Sequence, residues 1–373
     1  MTVTMQEVQP RTRRRPQSLH EFPLLARPDD YVACRLDLAE HQEDRAYWLD
    51  LFRWHIDKLI EEARGQFAGE ANLEERLAGA RRTFTAYLDA VALEPRRFGR
   101  LDIIAICWAR EWSLREAGIG DAYRNTKARE NEAALKLLPA LLRELDAMSD
   151  AERPARLVEG VFAGNIFDLG ATQTLELFQG KSIDFHAVRR KLKPRPWLID
   201  DADAFVDRWR TRGWRSAVLF VDNAGPDILL GMMPLARELL RRGTEVLLTA
   251  NTFPSLNDVT YEELMVLVDR VGQLDAVIRD AYADGRLELA PSGNDVPLID
   301  MAKVSAELCE AVKRRGVDLV VLEGMGRGIE SNLHVPFACD SLKIAMVKDP
   351  GVARLLGGQM YDLVCRYEPA DKQ

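Results

Sequence analysis

Residues 216–260 read SAVLFVDNAGPDILLGMMPLARELLRRGTEVLLTANTFPSLNDVT, and no other stretch limits the possible folds as tightly. An apolar run without polar alternation ends in Asp222-Asn223, which is how a strand buried on both faces reads. A helical segment follows, Gly243 suits its stop, and TEVLLTAN forms a second apolar run ending in Asn251. Two such strands joined by a helix form a parallel crossover. Pro234 either begins the stable part of the joining helix or bends it. Met232 and Met233 read as packing residues.

The same rhythm continues to the end of the chain. TYEELMVLVDRV is expected to be a helix and LDAVI a short strand. LELAPSG leads into a turn near Gly293. DMAKVSAELCEAVKRRG is a further helix, VDLVVLEGMG a strand with a glycine-rich end, and LKIAMVKD and MYDLVCRYE are late strands. The fold class is therefore α/β, with a mostly parallel sheet over residues 171–373.

The first half reads differently. Residues 1–20 carry Arg11, Arg13, Arg14 and Arg15 and are expected to form a flexible, solvated arm. Residues 21–170 are expected to be a helical region that packs on the later core. YWLDLFRWHIDKLIEEA has helical spacing, so His55 reads as a packed helix residue rather than a base. Pro139 is expected to interrupt the helical run over 118–148; Lys127 and Arg129 read as surface charges or as residues facing a cleft, with the surface favoured. Gly160 and Gly164 suggest turns around short apolar pieces. The boundary between the halves falls in 170–200.

Composition narrows the function classes. A net charge of −8 gives no support for nucleic-acid binding. No segment offers about 18 uninterrupted apolar residues for a membrane span, and MTVTMQEVQPRTRRRPQSL lacks a signal-peptide core. Five scattered cysteines form neither a metal motif nor a disulfide framework, so a cytoplasmic location is expected.

Loops after parallel strands converge at the carboxyl edge of the sheet. Asp222, Asn223 and Asp258 would meet there as hard oxygen ligands for Mg²⁺ or Mn²⁺, with Co²⁺ or Ni²⁺ also admissible. Such an ion polarises a phosphoryl oxygen and activates water. No organic cofactor is expected. EGMGRGIESN lacks both the dinucleotide and the P-loop spacing. Arg327 within it reads equally as a phosphate clamp or a surface charge, and Asn332 as a substrate ligand or a turn cap. Lys348, at the presumed strand end, is the better phosphate clamp, and Lys343 the weaker one. Asn165 and Asp168 read first as local caps.

FVDNAGPDILLGMMPLARELLRRGTEVLLTANTFPSLNDVTYEEL, EGMGRGIESN and CDSLKIAMVKD, with GNIFDLGA and KARENEAAL, together resemble the metal-dependent damage-control phosphatase family, formerly domain of unknown function 89. The closer resemblance is to the branch containing the phosphatase domain of pantothenate kinase 4 and stand-alone plant relatives. The resemblance implies a helical N-terminal region on a Rossmann-like core. It also implies metal ligands Asp222, Asn223 and Asp258, catalytic roles for Asp222, Asp258 and Lys348, and phosphate-side Asn251 and Asn257. Asn165 and Asp168 would form the opposite wall of the cleft. The implied substrate is a small phosphorylated metabolite, in this branch 4′-phosphopantetheine or its oxidised derivatives. A sugar phosphate remains open, as do an S-adenosylmethionine-dependent methyltransferase and a non-enzymatic metabolite-binding or scaffolding module.

Overall fold

The computed structural model describes residues 18–166 and 185–370. The arm over 1–17 and the expected cleft residue Asp168 lie outside the described residues. The strands are β1 (Leu19–His20), β2 (Ile199–Asp200), β3 (Ser216–Phe220), β4 (Glu245–Ala250), β5 (Leu287–Pro291), β6 (Val304–Ser305), β7 (Leu319–Glu323), β8 (Asp340–Met346) and β9 (Leu363–Glu368). Seven of them form one sheet in the order β2-β9-β8-β7-β3-β4-β5. The run from β8 to β5 is parallel, and β9 enters antiparallel to β8. A separate two-stranded ribbon pairs β1 with β6.

Strand period explains the layers. Ala217, Leu219 and Val221 join one apolar cluster, whereas Val218 and Phe220 join another on the opposite face. Both faces are covered, as an all-apolar parallel strand requires. Between residues 18 and 166 lie five α-helices: α1 (Gln42–Gln66), α2 (Leu73–Leu93), α3 (Ile103–Glu116), α4 (Arg124–Ala147) and α5 (Arg153–Asn165). Residues of α1, α2 and α3 share a core with Ala345 and Val347 at the end of β8. Residues of α4 and α5 pack into the layer over the sheet.

Several local expectations change. Pro139 lies inside α4 without ending it. Buried Leu135, Leu138, Leu141 and Leu142 hold both sides of the proline, and tertiary burial outweighs one lost hydrogen bond. Gly160 and Gly164 make no turns, because both lie within α5. The bareness of Gly164, and of Gly231 in the facing segment, serves close packing. A Cβ on Gly164 would sit 3.0 Å from the Asp227 Cα, and one on Gly231 3.3 Å from the Val161 Cα. The segment after β3 starts as a π-helix, Asp227–Met232, and becomes an α-helix over Met233–Arg241, with Pro234 in its first turn. LDAVI is not a strand. Asp275 caps a helix over Ala276–Asp284 by accepting from the Ile278 N–H at 3.1 Å.

β3 is flanked by β4 on one side and β7 on the other. From β3 the chain moves outward to β4 and β5, and from β7 it moves the opposite way to β8 and β9. A crevice opens at the carboxyl edge where the winding direction reverses. Asp222 follows β3 and Glu323 ends β7, so both stand at that switch point.

Candidate active site

A cavity of about 140 Å³ lies at this crevice. Its polar floor carries Asp222, Asn223, Asn257, Asp258 and Lys348, and α1 and α3 close it with Trp48, Phe52, Trp54, His55, Ile103 and Cys107. His55 is thus a helix residue, as its spacing predicts, that also faces the cavity.

Backbone pairing assembles the floor. Asn223 and Asp258 form an isolated antiparallel bridge, and Asn251 bridges Thr260. Thr260 and Glu263 then complete a reciprocal capping box at the start of the helix Tyr261–Leu274. The strand-end turn and the 257–258 loop are thereby locked side by side. Arg327 ties them together: its guanidinium pairs with the Asp222 carboxylate and donates to Asp258 Oδ2 at 2.8 Å and Asn251 Oδ1 at 2.9 Å. It is 2% exposed, so the choice between clamp and surface charge falls against the surface.

Sequence reasoning missed two carboxylates behind the floor. Asp222, Asp227 and Glu323 place carboxylate oxygens within 4.8 Å of one another, all buried. Asp227 Oδ2 accepts from Asn223 Nδ2 at 2.9 Å and Asn165 Nδ2 at 3.0 Å. Glu323 accepts from the Asp222 N–H at 2.8 Å and Asn165 Nδ2 at 2.7 Å. The available signals were modest: Asp227 stands four residues past Asn223, and Glu323 ends a wholly apolar strand.

Burial pushes the Asp222 carboxyl well above the usual range, with Arg327 opposing the shift and Asp258 and Asp227 adding repulsion. Burial also raises Glu323, helped by Asp227 and Asp222, and raises Asp227 against the pull of Lys348. Buried like charges at this spacing call for a cation. The donor set fits a divalent metal on further grounds. Asp227 Oδ1 and both amide atoms of Asn257 are buried without a hydrogen-bond partner. Gly324 has φ +98°, and a Cβ there would collide with the Asp222 carboxylate, so bare backbone keeps room for that side chain.

The other expected residues divide clearly. Lys348 lines the cavity, and its Nζ donates to the Asn165 carbonyl at 2.6 Å. Asn165 does not form an opposite wall. It sits behind the floor as a bracket between Asp227, Glu323 and Lys348. Asn251 is likewise a bracket, donating to Asp258 Oδ2 at 2.8 Å. Asn332 lies away from the cavity lining. It donates to the Ile299 and Arg327 carbonyls at 3.1 Å each and accepts from the Tyr31 hydroxyl at 3.0 Å. Lys343 does not reach the site either. It stands in mid-strand, three residues short of the end of β8, and its Nζ binds the Val335 carbonyl and Glu368. Burial lowers its pKa to about 8.

Lys127 corrects the surface expectation. It is fully buried, pairing with Asp121 at 3.0 Å and Glu263 at 2.9 Å, and it donates to the Asp258 carbonyl at 3.3 Å. All five cysteines are buried, and none forms a disulfide among the described residues. No helix among the described residues is long and apolar enough to cross a membrane.

Comparisons with known proteins bear on the family and the fold. Pantothenate kinase 2 of Arabidopsis thaliana is 42% identical over 381 residues, covering 94% of this chain and 42% of that protein. A damage-control phosphatase of the same plant is 41% identical over 367 residues, covering 93% of this chain and 96% of that one. The 4′-phosphopantetheine phosphatase of Mus musculus is 32% identical over 402 residues, covering 95% of this chain and 49% of that protein. The chain thus spans less than half the length of two of these relatives and nearly all of the third. The crystal structure of a DUF89 family protein from Pyrococcus horikoshii superposes with a TM-score of 0.60 at 18% identity, over 85% of this chain and 96% of that one, which supports the fold alone. The damage-control phosphatase ARMT1-like domain matches residues 34–364, and the chain belongs to that family.

Proposed function

We propose that this chain is a metal-dependent phosphatase that hydrolyses monoesters of small, damaged phosphometabolites. The preferred substrates are 4′-phosphopantetheine or its oxidised derivatives. The observation that carries the reading is the cavity itself: Asp222, Asn223, Asn257, Asp258 and Lys348 share one floor under an apolar lid. The plant damage-control phosphatase and the mouse 4′-phosphopantetheine phosphatase among the relatives support it.

Asp222, Asn223 and Asp258 would hold the metal, backed by Asp227 and Glu323. When bound, a divalent ion supplies Lewis-acid polarisation of the phosphoryl group and a more acidic water. Lys348 meets the phosphate as a point charge and stabilises negative charge that grows on the transferring group. Asn257 has both amide atoms unpartnered and lines the cavity, so it can orient a phosphoryl oxygen and an attacking water. Asp258, fixed by Arg327 and Asn251, holds that water by accepting its hydrogen. Trp48, Phe52, Trp54 and Ile103 exclude bulk water, which strengthens each of these interactions. The apolar lid favours a ligand with a chain-like neutral portion over a free sugar phosphate.

A phosphate-release screen tests the reading. Purified protein is offered phosphopantetheine, its oxidised forms and sugar phosphates with Mg²⁺, Mn²⁺, Co²⁺ or Ni²⁺. Release from a phosphopantetheine ester in at least one ion is expected. Silence across the whole matrix, with a folded protein, sinks the proposal.

A further inference from the structure

Phosphoryl transfer from an alkyl ester leaves an alkoxide, which departs more readily when it is protonated. The cavity contains one carboxyl group suited to that task. Glu330 closes the short π-helix Met325–Glu330 that follows β7, and it lines the same cavity as Asp222, Asn257, Asp258 and Lys348. Its carboxyl makes no hydrogen bond or ion pair among the described residues. Asp349, also on the cavity wall, is by contrast spent. It accepts from the Tyr47 hydroxyl at 2.8 Å and from the Gly351 and Val352 N–H groups at 2.7 and 3.0 Å. Burial, with the charge of Asp349 adding to it, pushes the Glu330 carboxyl up to about 8, so it keeps its proton at neutral pH.

The remaining titratable groups of the lining do not fit the role. His55 Nδ1 lies 3.0 Å from Arg110 Nη1, and a guanidinium only donates, so Nδ1 accepts and Nε2 keeps the single ring proton. Burial raises the Cys107 thiol to about 12, too weak an acid. Asp222 and Asp258 are assigned to the metal and the attacking water, and Lys348 to the phosphate, so none of the three is left to carry a proton to the leaving oxygen.

We propose that Glu330 is the general acid of the reaction, delivering its proton to the ester oxygen as the alcohol leaves. The assignment rests on the phosphatase reading above. Water oxygen forms a bond to phosphorus and the ester P–O bond breaks. The electron pair of that bond stays on the departing oxygen and takes the Glu330 proton. The surplus proton of the water goes to solvent, and Glu330 regains a proton from solvent before the next turnover. The products are an alcohol and inorganic phosphate. The site is therefore built for esters of alkyl alcohols, whose oxygens need the proton, more than for aryl esters, whose oxygens depart without it.

The test compares a primary-alkyl phosphate with p-nitrophenyl phosphate, using the full chain in the divalent ion that gives the highest rate. Glu330→Gln is expected to lower kcat for the alkyl ester by about 100-fold or more. The aryl rate should fall by a much smaller factor, which also reports that the variant is folded. Glu330→Asp, which keeps an acid, should recover part of the alkyl rate. An equal loss on both esters, or no loss on either, overturns the assignment. A wild-type chain that releases phosphate from neither probe overturns the phosphatase reading and the assignment with it, an outcome distinct from a variant that fails selectively.

Discussion

Replacing Lys127 with methionine keeps the length of the side chain and removes its charge. The ammonium is fully buried between Asp121 at 3.0 Å and Glu263 at 2.9 Å. At an effective dielectric of about 20, a pair at this separation is worth about 5–6 kcal/mol before desolvation is subtracted. The two acids do not suffer equally. Glu263 has a 26% exposed side chain and retains both Thr260 bonds of its capping box. Asp121 is 7% exposed, with the Tyr123 N–H as its remaining hydrogen-bond donor. The penalty therefore concentrates on one uncompensated carboxylate, and about 3 kcal/mol is expected, the low end for breaking a buried pair. In urea, with a slope of about 3 kcal/mol/M, the unfolding midpoint should drop by about 1 M. Lys127 also donates to the Asp258 carbonyl, so kcat should fall as the 257–258 loop slackens, by about tenfold. Adding Asp121→Asn removes the stranded charge and should recover most of the stability but none of the lost kcat. A midpoint shift below about 0.3 M, or a stability loss with unchanged kcat, would refute the reasoning.

Three further outcomes follow from the site and its frame. Asp222→Asn should abolish turnover and weaken divalent-ion binding by titration calorimetry while far-UV circular dichroism stays native; unchanged ion affinity would remove Asp222 from the ligand set. Lys348→Ala should weaken phosphate recognition, visible as a raised KM or a kcat lowered by about 10²–10³-fold, as when a transition-state charge partner is lost. Asp340 lies at the start of β8. Despite burial, which raises its pKa, donors from Ala370, Trp214 and Tyr367 and the charge of Arg208 hold its carboxyl below the ordinary 3.8. A folded-state pKa below the unfolded one contributes stability that is present above about pH 4 and is lost as pH falls through the lower value. Acid unfolding of Asp340→Asn, followed by fluorescence, should therefore show a shallower limb below pH 4 than the wild type does.

Much of the frame is legible in the chain. SAVLF and LVVLE are apolar throughout because both faces of their strands are covered, so the parallel sheet could be read directly. Asp222, Asn223, Asp258 and Lys348 were legible because the carboxyl edge of such a sheet collects whatever follows its strands. Other features were hidden for physical reasons. Gly164 looks like a turn former locally, yet it serves a helix contact visible only in three dimensions. Lys127 carries the most exposure-prone of charges, and only the approach of Asp121, Glu263 and the Asp258 carbonyl makes its burial tolerable. Lys343 and Lys348 are five residues apart, and their fates divide on where β8 ends.

By itself, the sequence determined the α/β class, the strand ends that carry polar side chains, and the family. These follow from local periodicity and from motifs contiguous in the chain. Only the tertiary structure decided which side chains meet. It set Asp227 and Glu323 behind Asp222, turned Asn165, Asn251 and Arg327 into brackets, and laid α1 over the cavity beside Glu330. Hydrogen bonds, ion pairs and burial join residues far apart in the chain, 158 positions for Asn165 and Glu323, and no pattern along the chain encodes such a pairing.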